Sequence, residues 1–343
     1  MSESPTIVEA WDPSIELNRR AGDLFQHAVS SSLELRSEVV NIGGATLLDA
    51  GSGSNAKSRP GPLGSLDAGV VLAKLCLGNM ARVELVAAES DMLVDQAVMV
   101  RTDRPVEACL GGQYAGWPLS VGNYFAMASG PMRMLRGREE MLGHLGLSST
   151  DRDSQTVAVG VLESDQLPGE EVIASIAEDC GIGTERLRLA IAPSTSIAGS
   201  VQVVARSIET ALHKLHALDF DVTKVISGTG IAPLPPPAKP GDTIGGIGRT
   251  NDAMLYGAKV TVWVDADDAS IDQVAAKVPS NTSADYGQPF AKIFKQYDYD
   301  FYRVDPMLFS PAVVTMVSLR SGRTWRCGGL NRDVLAVSFG MDT

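Results

Sequence analysis

The chain has 343 residues, and 29 Lys and Arg against 41 Asp and Glu give it a formal net charge of −12. Hydrophobic residues make up 44% and charged residues 20%, which is typical of a globular protein and excludes a disordered or fibrous chain. The acidic balance, without any run of Lys and Arg, excludes a general nucleic-acid-binding surface and favours cationic small ligands as partners.

Cysteine spacing and hydropathy predict a cytoplasmic protein. The four cysteines, Cys76, Cys109, Cys180 and Cys327, lie too far apart in sequence for a zinc knuckle or a redox pair. Scattered cysteines in a long chain are typical of free thiols in a reducing compartment. The first residues lack the basic flank and apolar core of a secretory signal, and no stretch of about 20 apolar residues predicts a membrane span.

Hydrophobic periodicity in the first half of the chain predicts helices and strands. The predicted elements are a helix over 13–33, strands over 35–42 and 45–50 around Gly43-Gly44, a helix over 66–77, strands over 81–88 and 94–101, a helix over about 102–114, a Gly-punctuated loop over 119–131 and a short helix over 132–145.

The second half alternates more regularly, after a polar segment over 146–155 that we interpret as an inter-domain linker. A Pro- and Gly-rich stretch over 228–250 predicts a long functional loop. The other predicted elements are strands over 156–162, 187–192, 222–227, 258–264, 312–319 and 323–328, and helices over 169–180, 197–217, 269–277, 287–297 and 331–338. We therefore expect an α/β (α+β) fold with an N-terminal domain over 1–150 and a C-terminal domain over 151–343. The boundary is approximate, and this expectation allows the termini to cross over between the domains.

Residues 51–58 form an incomplete phosphate-binding loop. The segment follows a strand and ends in Lys57-Ser58, but Ala56 occupies the place of the second glycine. Pro60 and Pro62 then delay any helix whose amides would face a phosphate. We predict an ordinary loop here, with a nucleotide-binding regulator as the weaker alternative.

The predicted helix over 197–217 carries a polar stripe beside its apolar one. Gln202, Arg206, Glu209 and His213 follow each other at helical spacing, and this pattern alone favours a solvated face. The hydroxyls of Ser194, Thr195 and Ser196 precede the helix, however, and helix N-termini that follow strands often bind ligands.

Metal binding is the weaker interpretation of the same helix. Glu209, His213 and His216 are spaced to share an ion, but the chain has no His-Glu-x-x-His motif. We expect no metal site, because two histidines near a helix C-terminus are favourable to its dipole without any ligand.

Two later segments are candidates for ligand binding. Arg249, Thr250, Asn251 and Asp252 end the Pro/Gly stretch, and they indicate either a turn or a loop that offers donors and acceptors to a heterocycle. The segment over 286–294 has aromatic residues at helical spacing, which favours a buried face.

Several blocks together resemble the methenyltetrahydromethanopterin cyclohydrolases, in order, from about residue 15 to 340. They are 115–117 (AGW), 122–131 (GNYFAMASGP), 192–202 (APSTSIAGSVQ), 205–210 (ARSIET), 248–252 (GRTND), 285–290 (DYGQPF) and 299–302 (YDFY) with Asp305-Pro306. The chain resembles the bacterial branch of the family in three features. These are a longer N-terminus, an extended loop over 51–65, and Arg104 where many relatives have His.

The resemblance implies an enzyme of one-carbon metabolism, in its bacterial branch one of formaldehyde oxidation. A cationic methenyl bridge between N5 and N10 of a reduced pterin is reversibly hydrated and opened to the N5-formyl compound. It further implies two α/β domains that face each other across a large pocket, and a homotrimer. It implies neither a metal nor a redox cofactor, the tetrahydromethanopterin derivative being the substrate.

The Ala-Arg-x-x-Glu-Thr block of the family assigns catalytic roles in this sequence. Glu209 is the expected general acid and base, and Arg206 is expected to orient the water or the carbinol oxygen. The residues expected to contact the pterin or its arm are Ser129, Gly130, Ser194, Thr195, Ser196, Gln202, Arg249, Thr250, Asn251, Asp252, Tyr286 and Lys292.

Two alternatives stay open at this point. One is a cyclohydrolase that acts on methenyltetrahydrofolate, since the two carriers differ near N10 and only kinetics separate them. The other is a non-catalytic protein that binds reduced pterins, although a binder has no need of the Arg206 and Glu209 pair.

Overall fold

The computed structural model describes residues 11–52, 64–149, 152–153 and 155–341. Within these ranges two six-stranded mixed sheets and their helices form an α/β fold, which confirms the predicted fold class. The strands are β1 (Glu38–Ile42), β2 (Ala45–Asp49), β3 (Arg82–Ala87), β4 (Gln96–Thr102), β5 (Trp117–Val121), β6 (Tyr124–Ser129), β7 (Ala158–Glu163), β8 (Leu187–Ile191), β9 (Val225–Pro233), β10 (Lys259–Val264), β11 (Val313–Ser318) and β12 (Thr324–Gly328).

Eleven α-helices and one π-helix are found in the described ranges. The α-helices are α1 (Pro13–Ser30), α2 (Leu66–Cys76), α3 (Met132–Arg136), α4 (Glu140–His144), α5 (Glu170–Cys180), α6 (Ile197–Val204), α7 (Ser207–Ala217), α8 (Thr243–Gly257), α9 (Asp268–Val274), α10 (Phe290–Gln296) and α11 (Arg332–Phe339). The helix predicted over 102–114 forms as the π-helix Val106–Gln113. None of the described helices is long and apolar enough to span a membrane.

The two sheets interleave along the chain. Sheet A has the order β1-β2-β8-β7-β6-β5, and sheet B has the order β12-β11-β10-β9-β4-β3. In sheet A, β2 pairs in parallel with β8, and in sheet B, β4 pairs antiparallel with β9. The two sheets are therefore not divided at residue 150, where the sequence predicts the domain boundary. Periodicity identifies strands but not their partners, so a polar segment between two strands of one sheet resembles a linker.

Two predicted loops are wrong. The first, over 119–131, is the β5–β6 hairpin, which turns at Gly122 with a φ of 57°. The second, over 228–250, is divided between β9, which extends to Pro233, and α8, which begins at Thr243 behind the capping side chain of Asp242. In both cases the glycines of the segment led to the prediction of one long loop. In the structure such glycines lie at a turn or permit a close approach.

The helix predicted over 197–217 is two helices with a break between them. α6 ends at Val204, and Arg206 has a φ of −88° and a ψ of 7° before α7 begins at Ser207. The break therefore places Arg206 at the N-terminus of α7.

Helices α2 and α6 connect the two sheets. Ala198 of α6 packs in the core of sheet A, while Val201 packs in the core of sheet B. The two helices approach closely at Gly69, where a Cβ atom would lie 2.5 Å from the Cβ of Val201. Only glycine permits this approach, so the orientation of the two sheets depends on it.

Candidate active site

The site lies beside one edge of sheet A, which we call the carboxyl edge. There the parallel strands β2, β8 and β7 end at Asp49, Ile191 and Glu163. Ligands of α/β proteins bind outside the carboxyl ends of parallel strands. The segment after β8 leads directly into α6 and then to Arg206, so the chain brings the predicted catalytic residues to this side of the sheet.

Arg206 is buried and fixed by acceptors from three segments. One Nη atom donates to the Gln113 carbonyl, and the other donates to Ser129 Oγ at 3.0 Å and to Gln202 Oε1 at 3.3 Å. Its side chain makes no ion pair in the described part of the chain. The positive charge therefore stays available to a neighbouring anion or to a ligand.

Glu209 lies in the first turn of α7 and is 4% exposed. Burial raises the pKa of its carboxyl to about 7, while the positive charges of Arg206 and Arg133 oppose that rise. No hydrogen bond from this carboxyl to another described residue is found. A carboxyl with a pKa near neutrality both accepts and releases protons readily, as general acid–base catalysis requires.

Arg133 is a second cation of the site that sequence reasoning missed. It is fully buried, pairs with Glu139, and donates from Nη1 to the Gly111 carbonyl at 3.0 Å. Its guanidinium lies 5.1 Å from the centre of the Tyr114 ring, which in turn stacks on His213 at 4.9 Å. The sequence does contain a signal for this residue, because Arg133 lies between the apolar residues of a short helix. An arginine is rarely buried in such a position unless it has a partner.

Ser129, Gln202 and Cys76 form one polar cluster with Arg206. Cys76 Sγ lies 3.3 Å from Ser129 Oγ and 3.8 Å from Gln202 Oε1. Gly130 follows with a φ of 100°, and a Cβ atom there would lie 2.9 Å from the Val159 carbonyl oxygen. The structure thus brings Ser129, Gly130, Gln202 and Arg206 together, although they are distant in sequence.

The three hydroxyl residues before α6 differ in their roles. Ser196 caps α6 by accepting from the Gly199 amide at 2.9 Å. Thr195 is half-buried, and Ser194 is 2% exposed with an Oγ that has no hydrogen-bond partner among the described residues. Ser194 is therefore the member of this group with an unused donor and acceptor.

Residues 249–252 do not form the predicted turn or loop. They lie within α8, where Arg249 donates from Nη1 to the Pro237 carbonyl at 2.9 Å, and Asp252 accepts from the Phe290 amide at 2.8 Å. Thr250 and Asn251 donate to carbonyl groups one turn earlier. The four side chains thus bond α8 and its neighbours, although Oδ2 of Asp252 is buried without a hydrogen-bond partner among the described residues.

No hydrogen bond or ion pair joins Tyr286 or Lys292 to Arg206 or Glu209 in the described structure. Tyr286 packs against Tyr256 with 5.0 Å between the ring centres. Lys292 is exposed on α10. The start of α8 adjoins the segment before α6, since a Cβ atom at Gly246 would lie 2.8 Å from Ser194 Oγ.

No group of three or more His, Cys, Asp or Glu side chains arranged to hold a metal occurs among the described residues. The His213 ring stacks on the Tyr114 ring. Burial lowers the pKa of the His213 imidazole, and the nearby His216 lowers it further. Glu209, His213 and His216 thus share a helix without forming a ligand set.

Two surface depressions of the described structure lie elsewhere. One of about 660 Å³ is lined by Arg20, Lys74, Arg82 and Arg101 among others, and one of about 410 Å³ adjoins it. Neither includes a residue of the predicted site. The incomplete phosphate-binding loop over 51–58 lies mostly outside the described residues.

Comparisons with known proteins cover nearly the whole chain. A family model described as "Cyclohydrolase (MCH)" matches residues 16–339. The chain is 62% identical to a methenyltetrahydromethanopterin cyclohydrolase of Rhodopirellula baltica, over 95% of each chain. It is 42% identical to a protein of the same name from Methylobacillus flagellatus, over 99% of each chain. It is 38% identical to one from Methanosarcina barkeri, over 95% of this chain and 99% of the relative.

Proposed function

The chain belongs to the methenyltetrahydromethanopterin cyclohydrolase family of hydrolases, and from this premise we propose that it interconverts N5,N10-methenyl- and N5-formyl-tetrahydromethanopterin. One observation carries the proposal: Glu209, a buried carboxyl with a pKa of about 7, lies one helical turn from the buried Arg206. Glu209 can supply the proton transfers that the reaction needs, and Arg206 adds a positive charge that favours the ionised form of this carboxyl.

In the first step a water molecule attacks the methenyl carbon between N5 and N10. Ionised Glu209 accepts one proton from this water as the new C–O bond forms. The cationic bridge thereby becomes a neutral carbinol. In this step ionised Glu209 can only accept hydrogen bonds, whereas the Arg206 guanidinium donates them. Arg206 therefore holds the water oxygen in position.

In the second step the bond between the carbinol carbon and N10 breaks. Protonated Glu209 gives its proton to N10, and the carbinol O–H becomes the formyl carbonyl by returning a proton to Glu209. That proton is then released to solvent, so that each turnover consumes one water molecule and forms one proton. A pKa near 7 lets a single carboxyl serve both steps.

Charge around the carboxyl tunes this function. Burial alone would keep Glu209 protonated and unable to accept a proton from water, whereas Arg206 and Arg133 favour the ionised form. We propose that Ser129 and Gln202 fix the Arg206 guanidinium, and that Ser194 and Thr195 contact the pterin.

We propose that no metal or redox cofactor takes part, because the methenyl carbon is already an amidinium-like electrophile and the reaction changes no oxidation state. Dialysis against a chelator should leave turnover unchanged, and elemental analysis should find no stoichiometric metal. Loss of turnover that a divalent metal restores would contradict this.

The function is tested by following the methenyl absorbance of purified protein with methenyl-tetrahydromethanopterin and, in parallel, with methenyltetrahydrofolate. We expect rapid loss of absorbance with the methanopterin carrier alone. Faster turnover of the folate would make the protein a folate cyclohydrolase. No acceleration with either carrier, despite measurable binding, would make it a pterin-binding protein.

The resemblance also supports two finer proposals, a role in formaldehyde oxidation and a homotrimer, and the cysteine usage supports a third, a cytoplasmic location. The trimer is checked by light scattering of the purified protein, which should give about three times the 36.2 kDa of one chain. A monomer that retains full turnover would remove any need for an assembly.

A further inference from the structure

A second carboxylate, Glu163, lies at the carboxyl edge beside the proposed catalytic pair. It is the last residue of β7, the strand that sheet A places between the parallel β8 and the antiparallel β6. Glu163 is opposite Met127 of β6, and Val161 is opposite Ser129. Directly paired residues of antiparallel strands, and alternate residues of one strand, share a face of the sheet. Glu163, Val161, Met127 and Ser129 therefore share one face.

Arg206 lies over this same face. It donates to Ser129 Oγ at 3.0 Å, and Ser129 Oγ lies 3.4 Å from the Val161 carbonyl oxygen. Glu163 is two residues beyond Val161, about 7 Å further along the strand. The Arg206 guanidinium is thus the common neighbour of Glu163 and Glu209, which is also evident from its effect on both carboxyls.

The carboxylate of Glu163 has no hydrogen-bond partner among the described residues. The residue is half-buried, and burial raises its pKa while the charge of Arg206 lowers it. A carboxylate kept partly out of water without a donor is costly. Water or a ligand must supply the missing donors, and a ligand that supplies both displaces water from this half-buried position.

The surface next to Glu163 suits a flat ring. Met127 is half-buried, and Phe125, two residues earlier on the same face of β6, is 59% exposed. An exposed phenylalanine beside an uncommitted carboxylate offers stacking to a heterocycle and an acceptor to its edge.

We propose that Glu163 binds the pyrimidine edge of the pterin, accepting hydrogen bonds from its N3–H and its 2-amino group. Two parallel donors match the two oxygens of a carboxylate, as in bidentate pairing. This edge is on the far side of the bicyclic ring from N5, so it directs the methenyl bridge toward Arg206 and Glu209. The inference rests on the proposed function, and it makes Glu163 a residue for substrate positioning.

The test is steady-state kinetics of Glu163→Gln with methenyl-tetrahydromethanopterin. The amide keeps the shape of the side chain but directs a donor against a donor, so KM should rise by about 10- to 100-fold while kcat changes less than about threefold. Glu163→Asp keeps the charge with a shorter reach and should give an intermediate KM. Asp165→Asn, which removes an exposed charge two residues away, is the matched control and should match the wild type.

An analogue of the substrate without the 2-amino group separates recognition from mere structural damage. It should have a KM about tenfold above that of the parent substrate in the wild type, and nearly equal to it in Glu163→Gln. An unchanged KM in Glu163→Gln, or the same penalty for the analogue in both proteins, would overturn the inference alone. An inactive wild type would instead overturn the proposed function.

Discussion

At the scale of single residues, the site depends on how burial and charge compete at Glu209. Burial favours its neutral form, and two buried arginines favour its ionised form, so that its pKa lies at about 7. Because both forms are then present near neutral pH, one side chain can accept and return a proton in the same turnover. A second base is not required.

Glu209→Gln removes this proton transfer while it keeps the size of the side chain. We expect kcat to fall by about 10² or more, with substrate binding retained. Stopped-flow turnover and a separate titration of substrate binding measure the two quantities. Near-normal turnover in the variant would exclude Glu209 as the general base.

The same variant should be more stable than the wild type at alkaline pH. The carboxyl has a pKa of about 7 in the folded protein and about 4.5 when unfolded, so the stability present below pH 4.5 is lost as pH rises through 7. The difference is on the order of 3 kcal/mol for this buried group. We expect Glu209→Gln to melt about 5 °C above the wild type at pH 8 and within about 1 °C of it at pH 5.

Scanning calorimetry at the two pH values checks this expectation. Asp165→Asn is the control, because it makes the same kind of change at an exposed position. Equal stabilisation at both pH values would mean that ionisation of Glu209 does not carry the effect.

How far sequence predicted the site depended on where its residues lie along the chain. Gln202, Arg206 and Glu209 occur within eight positions, and a family motif includes them. Arg133, Tyr114 and Glu163 come from three other segments, and only the strand pairing and the folding of the π-helix bring them near. Residues 249–252 lie in a helix and not in the predicted turn or loop, because a polar run has the same appearance whether it bonds a ligand or a neighbouring helix.

At the scale of elements, the break between α6 and α7 determines the site. An unbroken helix over 197–217 would carry Arg206 as one more side chain of a polar stripe. The break instead turns its guanidinium toward Gln113, Ser129 and Gln202. Sequence did not predict the break, because Ala205 and Arg206 are good helix formers and the apolar stripe continues through them.

Gly69→Ala tests the contact between α2 and α6. The new Cβ would lie 2.5 Å from the Val201 Cβ and 2.9 Å from the Ala198 carbonyl oxygen, so the helices must separate. We expect a loss of about 1–3 kcal/mol in the free energy of unfolding, measured with urea. Turnover should also fall, because α6 carries Gln202 and leads to Arg206.

Gly143→Ala is the matched control, since it makes the same change in α4 with nothing within 4 Å of the new Cβ. It should stabilise the protein slightly, as alanine does in an exposed helix. If both variants lost the same stability, a general effect of alanine would explain the result and the close approach would not.

Most elements were predictable because their periodicity is strong. The strands of both sheets and helices α1, α2 and α5 lie within a few residues of their predicted bounds, with β5, β6 and most of β9 as exceptions. Glycines flank β5 and β6 at Gly116, Gly122 and Gly130, and β9 contains two, so all three strands resemble loops in sequence. In β9 these glycines allow close packing. At Gly230 of β9, for example, a Cβ would lie 2.3 Å from Ser207 Oγ.

At the scale of the whole molecule, neither half of the chain contains a complete sheet. A fragment over 1–150 has β2 without β8, and β4 without β9. We therefore expect this fragment to lack cooperative unfolding and dispersed amide resonances, whereas the full chain shows both. A sharp thermal transition in the isolated fragment would indicate that its strands pair differently from those of the full protein.

Interleaving also has a consequence for synthesis on the ribosome. Thr46 pairs with Arg188, 142 residues later in the chain. At about 5–20 residues per second, β2 waits roughly 7–30 s for its neighbour, with one edge unpaired. Arg206 and Glu209 emerge only after that strand. The proposed catalytic pair is therefore synthesised late, when the nascent chain is nearly two-thirds complete. Chaperones that shield an open edge would matter most while β2 lacks its neighbour.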